Sequence, residues 1–219
     1  MAMGGKAMGE KAMGENAAMV EQSEWMKMVA ANPSHSTWFV KRFRDMATAG
    51  DDLGGEARLV DAMVPRRSRI LDAGCGSGRV GAVLTASGHE VVGVDVDPVL
   101  IAAAEEDFPG PRWILGDLAE LDLPAEGVPA EFDVVVSAGN VMPFLAASTR
   151  GAVLHRLRRH VADDGRVVIG FGAGRGYAFD DFLDDARGAD LAPELLLSGW
   201  DLRPFRDDSD FLVAVLIPA

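Results

Sequence analysis

The sequence predicts an α/β chain built on a doubly wound sheet of seven strands, the last strand antiparallel. Three observations carry this. From residue 69 onward, apolar runs that suit buried parallel strands alternate with stretches of helical spacing. The run Arg69 to Arg79 reads R-I-L-D-A-G-C-G-S-G-R: a short strand closing in Asp72, a glycine-rich turn, and a helix over Val80 to Ala86. The chain then finishes on a hairpin pattern, Trp200 to Phe205, Asp207-Asp208-Ser209, and Phe211 to Ile217.

The glycine turn organises the rest. Gly74, Gly76 and Gly78 fall at alternate positions. Glycine adopts positive φ without steric cost and leaves no side chain between backbone and ligand. Strand, glycine turn and helix together let the backbone approach a nucleotide-like molecule. A dinucleotide fingerprint, G-x-G-x-x-G, places its last glycine where this chain has Arg79. A phosphate loop of the G-x-x-x-x-G-K-[ST] type is absent. The stretch resembles motif I of the class I S-adenosylmethionine-dependent methyltransferases, which runs strand-Asp/Glu-x-Gly-x-Gly-x-Gly. The resemblance implies a Rossmann-like sheet, S-adenosyl-L-methionine as cofactor, and cofactor contacts from Asp72, Gly74, Cys75, Gly76, Gly78 and Arg79. The alternative is a strand–helix turn of the same shape that binds nothing.

Composition bounds the rest. The 219 residues suffice for one sizeable domain. No apolar run approaches the ~20 residues that span a bilayer, and the N-terminus lacks a secretory pattern. These readings give no membrane partner. The single cysteine, Cys75, excludes an intramolecular disulfide and fits a reducing cytoplasm. It reads as a small packing residue rather than a catalytic thiol. The formal net charge of -13 repels a phosphate backbone, so no nucleic-acid partner is expected. The one candidate basic patch, Arg156, Arg158 and Arg159 beside His155 and His160, lies on a predicted helix and reads as a solvated face.

Taken in order, residues 2 to 16 repeat with a period of five (A-M-G-G-K, A-M-G-E-K, A-M-G-E-N), and 1–18 reads as a disordered tail. Residues 19–64 read as N-terminal helices. The first covers Met19 to Val29 and stops before Asn32-Pro33-Ser34. The next carries Trp38, Phe39, Phe43 and Met46 at helical spacing, with Ser36 as its N-cap. A third runs from Gly55 to Met63. The resemblance makes these helices a lid over cofactor and acceptor; simple core packing of the aromatic stripe is the competing reading. Residues 65–219 then form the cofactor-binding domain.

The second strand, His89 to Asp95, closes in an acidic residue placed to accept hydrogen bonds from both ribose hydroxyls. The resemblance gives Asp95 that role, with Val96 beside it. Asp97 precedes Pro98 and reads as a helix N-cap. After the third strand, Arg112 to Leu115, the family carries an aspartate that accepts the adenine amino group; Asp117 matches, and the Leu118 backbone amide would reach the ring. The plain alternative for Asp117 is a turn residue. The fourth strand spans Glu131 to Ser137. Its end, Ala138-Gly139-Asn140, should face the methyl group and the acceptor, because doubly wound sheets bind ligands at the carboxyl ends of their strands. Asn140 either contacts substrate or caps the following turn. The Pro-Pro-aromatic sequence that follows Asn or Asp in amine-methylating DNA enzymes is absent, which counts against a nucleobase. A helix over Ala146 to Val161, a turn at Asp163-Asp164-Gly165, a fifth strand over Arg166 to Phe171, the link Gly172 to Gly176 and a helix over Tyr177 to Ala186 complete the order.

The implied chemistry is direct displacement by a nucleophilic atom of a small-molecule acceptor. Alignment and exclusion of water carry most of it, so no catalytic residue is assigned. The expected acceptor pocket is His35, Trp38, Phe39, Asn140, Met142 and Phe171. His35 is the one histidine in the lid stretch; a general base there competes with a surface or capping role. No metal is expected, since the histidines show no ligand spacing. A non-catalytic S-adenosylmethionine-binding protein of the same fold is the second reading. A nicotinamide-dependent oxidoreductase is disfavoured by Arg79 and the terminal hairpin.

Overall fold

The computed structural model describes residues 20–219; the tail expected over 1–18 lies outside them. Three helices come first: α1 (Glu24–Ala31), α2 (His35–Ala49) and α3 (Gly55–Ala62). The N-cap of α2 is Ser34, not Ser36. Ser36, the second helical residue, is fully buried, because Asp97 offers its hydroxyl a carboxylate partner at 2.5 Å.

The sheet is laid down by β1 (Arg69–Ala73), β2 (Glu90–Asp95), β3 (Arg112–Leu115), β4 (Phe132–Ser137), β5 (Val161–Gly172), β6 (Leu191–Leu197) and β7 (Phe211–Pro218). Its order is β3-β2-β1-β4-β5-β7-β6. The first five strands pair in parallel, and β7 runs antiparallel between β5 and β6. The expected seven strands with a reversed last strand are therefore present. Between them lie α4 (Arg79–Ala86), α5 (Pro98–Asp107), the short α6 (Val141–Phe144), α7 (Arg150–His160) and α8 (Phe179–Gly188).

The apolar runs are continuous because both faces are covered. Parity along each strand sends neighbouring residues to opposite layers. Leu71, Val135, Ile169 and Phe171 meet α7 and α8, while Ile70, Val134, Val136 and Val168 meet α3 and α4. The order reverses at β1, which lies between β2 and β4. A crevice therefore opens at the carboxyl ends of those strands.

Two strand assignments differ from the sequence expectation. The sixth strand is Leu191–Leu197, not Trp200 to Phe205. Pro193 within it argues against a strand, yet β6 is an edge, where a missing N–H costs little, and the register shifts between Pro193 and Leu195. Trp200 instead folds back over Gly170. The expected turn at 163–165 belongs to β5, whose register against β4 shifts between Phe132 and Val134.

Candidate active site

A cavity of about 590 Å³ lies at the carboxyl ends of β1, β2 and β4, closed on one side by α1 and α2. Its inner wall is the glycine turn. The amides of Gly74 and Cys75 both donate to the Val94 carbonyl, at 2.8 and 3.0 Å, tying the turn to β2. The Gly76 amide donates to Asp95 Oδ2 at 2.8 Å, and the Asp97 amide donates to Asp95 Oδ1 at 2.9 Å. Asp95 thus holds the turn and the start of α5 together. Each carboxylate oxygen keeps a further lone pair. Burial pushes its pKa up to about 6, against the backbone N–H groups of Asp97, Gly76 and Val96 that favour the charged form.

Asp72 also borders the cavity, with its carboxylate fully inside the protein. Its Oδ2 accepts from the Gly81 amide at 3.0 Å, and burial raises its pKa to about 7. Asp117 accepts from the Ala119 amide at 2.8 Å and opens the 3-10 turn over Leu118–Glu120. Its turn role is therefore real, and it lines the cavity as well. Val96, Leu118, Ala138 and Gly139 complete the inner wall.

Cys75 lines the cavity, while its Sγ lies against the satellite core of Ile101, Ala104 and Trp113. Burial drives its thiol pKa up, which suits packing and not nucleophilic chemistry. Arg79 borders the cavity, but its guanidinium grips both oxygens of Glu56, at 2.6 and 2.8 Å, and the Leu53 carbonyl. It lies 5.5 Å from the centre of the Phe43 ring. Arg79 therefore clamps α4 to the chain before it. Gly78 is not in the cavity. With φ +83 it caps α4, and a Cβ there would come within 2.9 Å of Ala104 and Trp113. Its job is close packing.

The outer wall comes from the N-terminal helices. His35, Trp38 and Phe39 all line the cavity. Phe39 lies over Gly76, its Cε1 3.6 Å from where a Cβ would stand. Asn140 lines the cavity in the left-handed conformation, φ +67, and its Oδ1 accepts from the Gly172 amide at 2.8 Å. It ties the ends of β4 and β5 together; no side-chain cap bond to α6 forms.

Met142 and Phe171 do not reach the cavity. Met142 is 1% exposed in the main core, and its neighbours Val141 and Phe144 face the cavity instead. Phe171 shares the parity of Val167 and Ile169 and is buried against Phe179 and Phe182. Strand ends locate a site; parity decides which side chain enters it. Phe43, of the stripe read as lid or core packing, lines the cavity; sequence reasoning missed Trp25 and Phe144 as wall residues and Glu56 as the partner of Arg79. Aromatic density in residues 25–43 was the available signal.

Among the described residues no helix is long and apolar enough to cross a membrane. No group of three or more metal-type side chains is gathered among them.

Residues 70–165 match the model of a family described as a methyltransferase domain. The chain is 38% identical over 114 residues to an uncharacterized methyltransferase of Mycobacterium tuberculosis, covering 51% of this chain and 54% of that protein. The match thus spans about half the length of such curated relatives. It is 39% identical over 92 residues to the 18S rRNA (guanine-N(7))-methyltransferase of Schizosaccharomyces pombe, covering 41% of this chain and 32% of that protein. Among solved structures it is similar to the TehB-like SAM-dependent methyltransferase of Corynebacterium glutamicum. There the identity is 50% and the TM-score 0.81, over 86% of this chain and all of that one.

Proposed function

The chain belongs to the class I S-adenosylmethionine-dependent methyltransferases, and we propose that it methylates a small-molecule acceptor by direct displacement. One observation supports this most: a buried carboxylate, Asp95, sits at the end of β2 with a lone pair left on each oxygen, beside a turn whose Gly74 and Gly76 put no side chain into the cavity. That arrangement fits two neighbouring ribose hydroxyls. Asp117 would accept the adenine amino group, with Leu118 against the ring. The backbone from Gly74 to Gly76 would run along the rest of the cofactor.

When bound, the cofactor supplies an electrophilic methyl carbon on a sulfonium leaving group. This chain's own residues align and desolvate. Ala138 and Gly139 end β4 at the crevice, and Asn140 fixes that end against β5. Helices α1 and α2 act as the lid and keep water out. No paired nucleophile and base is required for such a transfer.

Cavity size supports a small acceptor. About 590 Å³ lies mid-range for small-molecule sites, and the cofactor takes a large share of it. Of the candidate basic patch, Arg158 pairs with Asp163 and Arg156 donates to the Leu121 carbonyl.

The test is calorimetry with S-adenosylhomocysteine, followed by turnover. Micromolar binding, about -8 kcal/mol, and its release from S-adenosylmethionine in the presence of an acceptor are expected. A folded protein that binds none of it sinks the reading. Binding without turnover across small-molecule, RNA and protein acceptors would leave a binding protein of the same fold.

A further inference from the structure

We propose that the acceptor is a small aromatic carboxylate, its ring held by the lid's aromatic wall and its charge held by Arg42 and Arg175. The inference rests on the methyl-transfer reading above and adds the chemical class of the acceptor.

The wall is continuous. The Phe43 ring lies 4.8 Å from Phe39, Phe39 lies 5.3 Å from Trp25, and Trp25 lies 5.7 Å from Phe144. His35 extends it, 4.8 Å from Trp25 and stacked on Trp38 at 5.7 Å. Trp38 borders the cavity yet is 54% exposed. An aromatic ring left open at a concave site is a surface for another ring.

The charges divide in the same way. The cavity's buried carboxylates, Asp72 and Asp95, end β1 and β2, and Asp117 follows β3. Two further acidic residues at the cavity are already neutralised, Asp52 by Arg58 and Glu56 by Arg79. The cations divide otherwise. Arg79 is committed to Glu56, whereas Arg42 and Arg175 form no ion pair among the described residues. On the same helix as Arg42, Lys41 pairs with Asp45, and Arg44 with Glu106 and Asp107. In a chain of net charge -13, Arg42 and Arg175 are the two arginines at this cavity that no carboxylate engages among the described residues.

Both arginines are exposed and line the same cavity. The Arg42 guanidinium carbon lies 5.8 Å from the Trp38 ring centre and 5.9 Å from that of Phe43, flush with the wall. Arg175 comes from the loop after β5, which Asn140 ties to the end of β4. A guanidinium fork matches a carboxylate in two parallel hydrogen bonds and stacks on rings. A planar acid therefore satisfies wall and cations together. In the transfer, a ring hydroxyl or amine lone pair forms the bond to the methyl carbon as the carbon–sulfur bond breaks. The electrons of the carbon–sulfur bond go to sulfur, and the methylated acceptor loses its proton to bulk solvent once it leaves the closed site.

The test titrates protein saturated with S-adenosylhomocysteine with 4-hydroxybenzoate and 2-aminobenzoate, each against its own carboxamide. Wild type, Arg42→Gln, Arg175→Gln and the double variant are compared, with circular dichroism confirming the fold. At least one carboxylate should bind about tenfold tighter than its amide. The preference should fall to about threefold or less in the double variant, and S-adenosylhomocysteine affinity should stay within about twofold. Equal binding of acid and amide, or no binding by either acid, overturns the proposal. So does a cofactor affinity about tenfold weaker in the arginine variants, which would give these cations to the cofactor's own carboxylate. A wild type that binds no S-adenosylhomocysteine fails at the earlier step and takes the methyl-transfer reading with it.

Discussion

Trp25 on α1 donates its indole N–H to Asp97 at 2.8 Å, joining residues 72 positions apart. The same oxygen accepts from Ser36 on α2 at 2.5 Å, and the other oxygen caps α5 through the Val99 amide at 2.9 Å. The Asp97 amide in turn donates to Asp95. One carboxylate therefore fastens both lid helices to the strand end that carries the proposed ribose ligand.

Asp97→Ala should loosen that fastening. It removes an N-cap, worth about 1 kcal/mol, and strands the buried Ser36 hydroxyl and the half-buried Trp25 indole N–H, together about 1–3 kcal/mol. A fall in Tm of roughly 4–16 °C is expected for a chain of this size. Trp25→Phe keeps the ring and loses one hydrogen bond, so it should cost only about 1 kcal/mol. S-adenosylhomocysteine affinity should weaken in both. Unchanged melting of Asp97→Ala would show that the lid is held by apolar contact alone.

Cofactor affinity should depend on the charge of Asp95. Burial raises its pKa to about 6, and accepting two hydroxyl hydrogen bonds needs the ionised form. As pH falls through about 6, the dissociation constant for S-adenosylhomocysteine should rise, approaching about tenfold per pH unit. Asp95→Asn should bind more weakly and show a flatter profile. Calorimetry from pH 7.5 to 5 decides this; a wild-type constant that does not move removes Asp95 from the ribose.

Asp72 makes the opposite demand on stability. Burial raises its folded pKa to about 7, above the value of an unfolded aspartate. The group's favourable contribution is thus fully present below about pH 4. It is lost as pH rises through about 7, where folding must bury a charge. Asp72→Asn keeps an acceptor for the Gly81 amide and has no charge to bury. From pH 5 to 8 the wild type should lose roughly 1–3 kcal/mol relative to that variant, read from urea midpoints. A constant difference across that range would place the titration elsewhere.

What the sequence disclosed was local, and what it hid was not. Asp97 before Pro98 announces a cap from two adjacent residues, and the cap forms. The glycine turn and the acid closing β2 are likewise short-range patterns. The partnership of Trp25 with Asp97 has no such mark, because nothing in either segment names the other. The hairpin was assigned to Trp200 to Phe205, and the strand at Leu191–Leu197, with Pro193 inside it, went unread; a sheet edge tolerates a proline that a central strand rejects. Phe171 and Met142 were assigned to the pocket from strand ends alone. The alternation of Val167, Ile169 and Phe171 would have turned the ring toward the core.

Gly76 and Gly78 look alike in the motif and should separate on mutation. Both have positive φ, +56 and +83, so a side chain strains either one by about 1–2 kcal/mol. At Gly78 the added Cβ also meets Ala104 and Trp113 at 2.9 Å. Overpacking there adds about 1–3 kcal/mol. At Gly76 the nearest atom is Phe39 Cε1 at 3.6 Å, an ordinary contact, and the space is the cavity itself. Gly78→Ala should therefore lower Tm by more, and S-adenosylhomocysteine binding should survive wherever the protein stays folded. Gly76→Val should stay folded at 25 °C and lose binding. If Gly76→Val binds like wild type, the cofactor does not run along this turn, and the placement proposed for Gly74 to Gly76 is wrong.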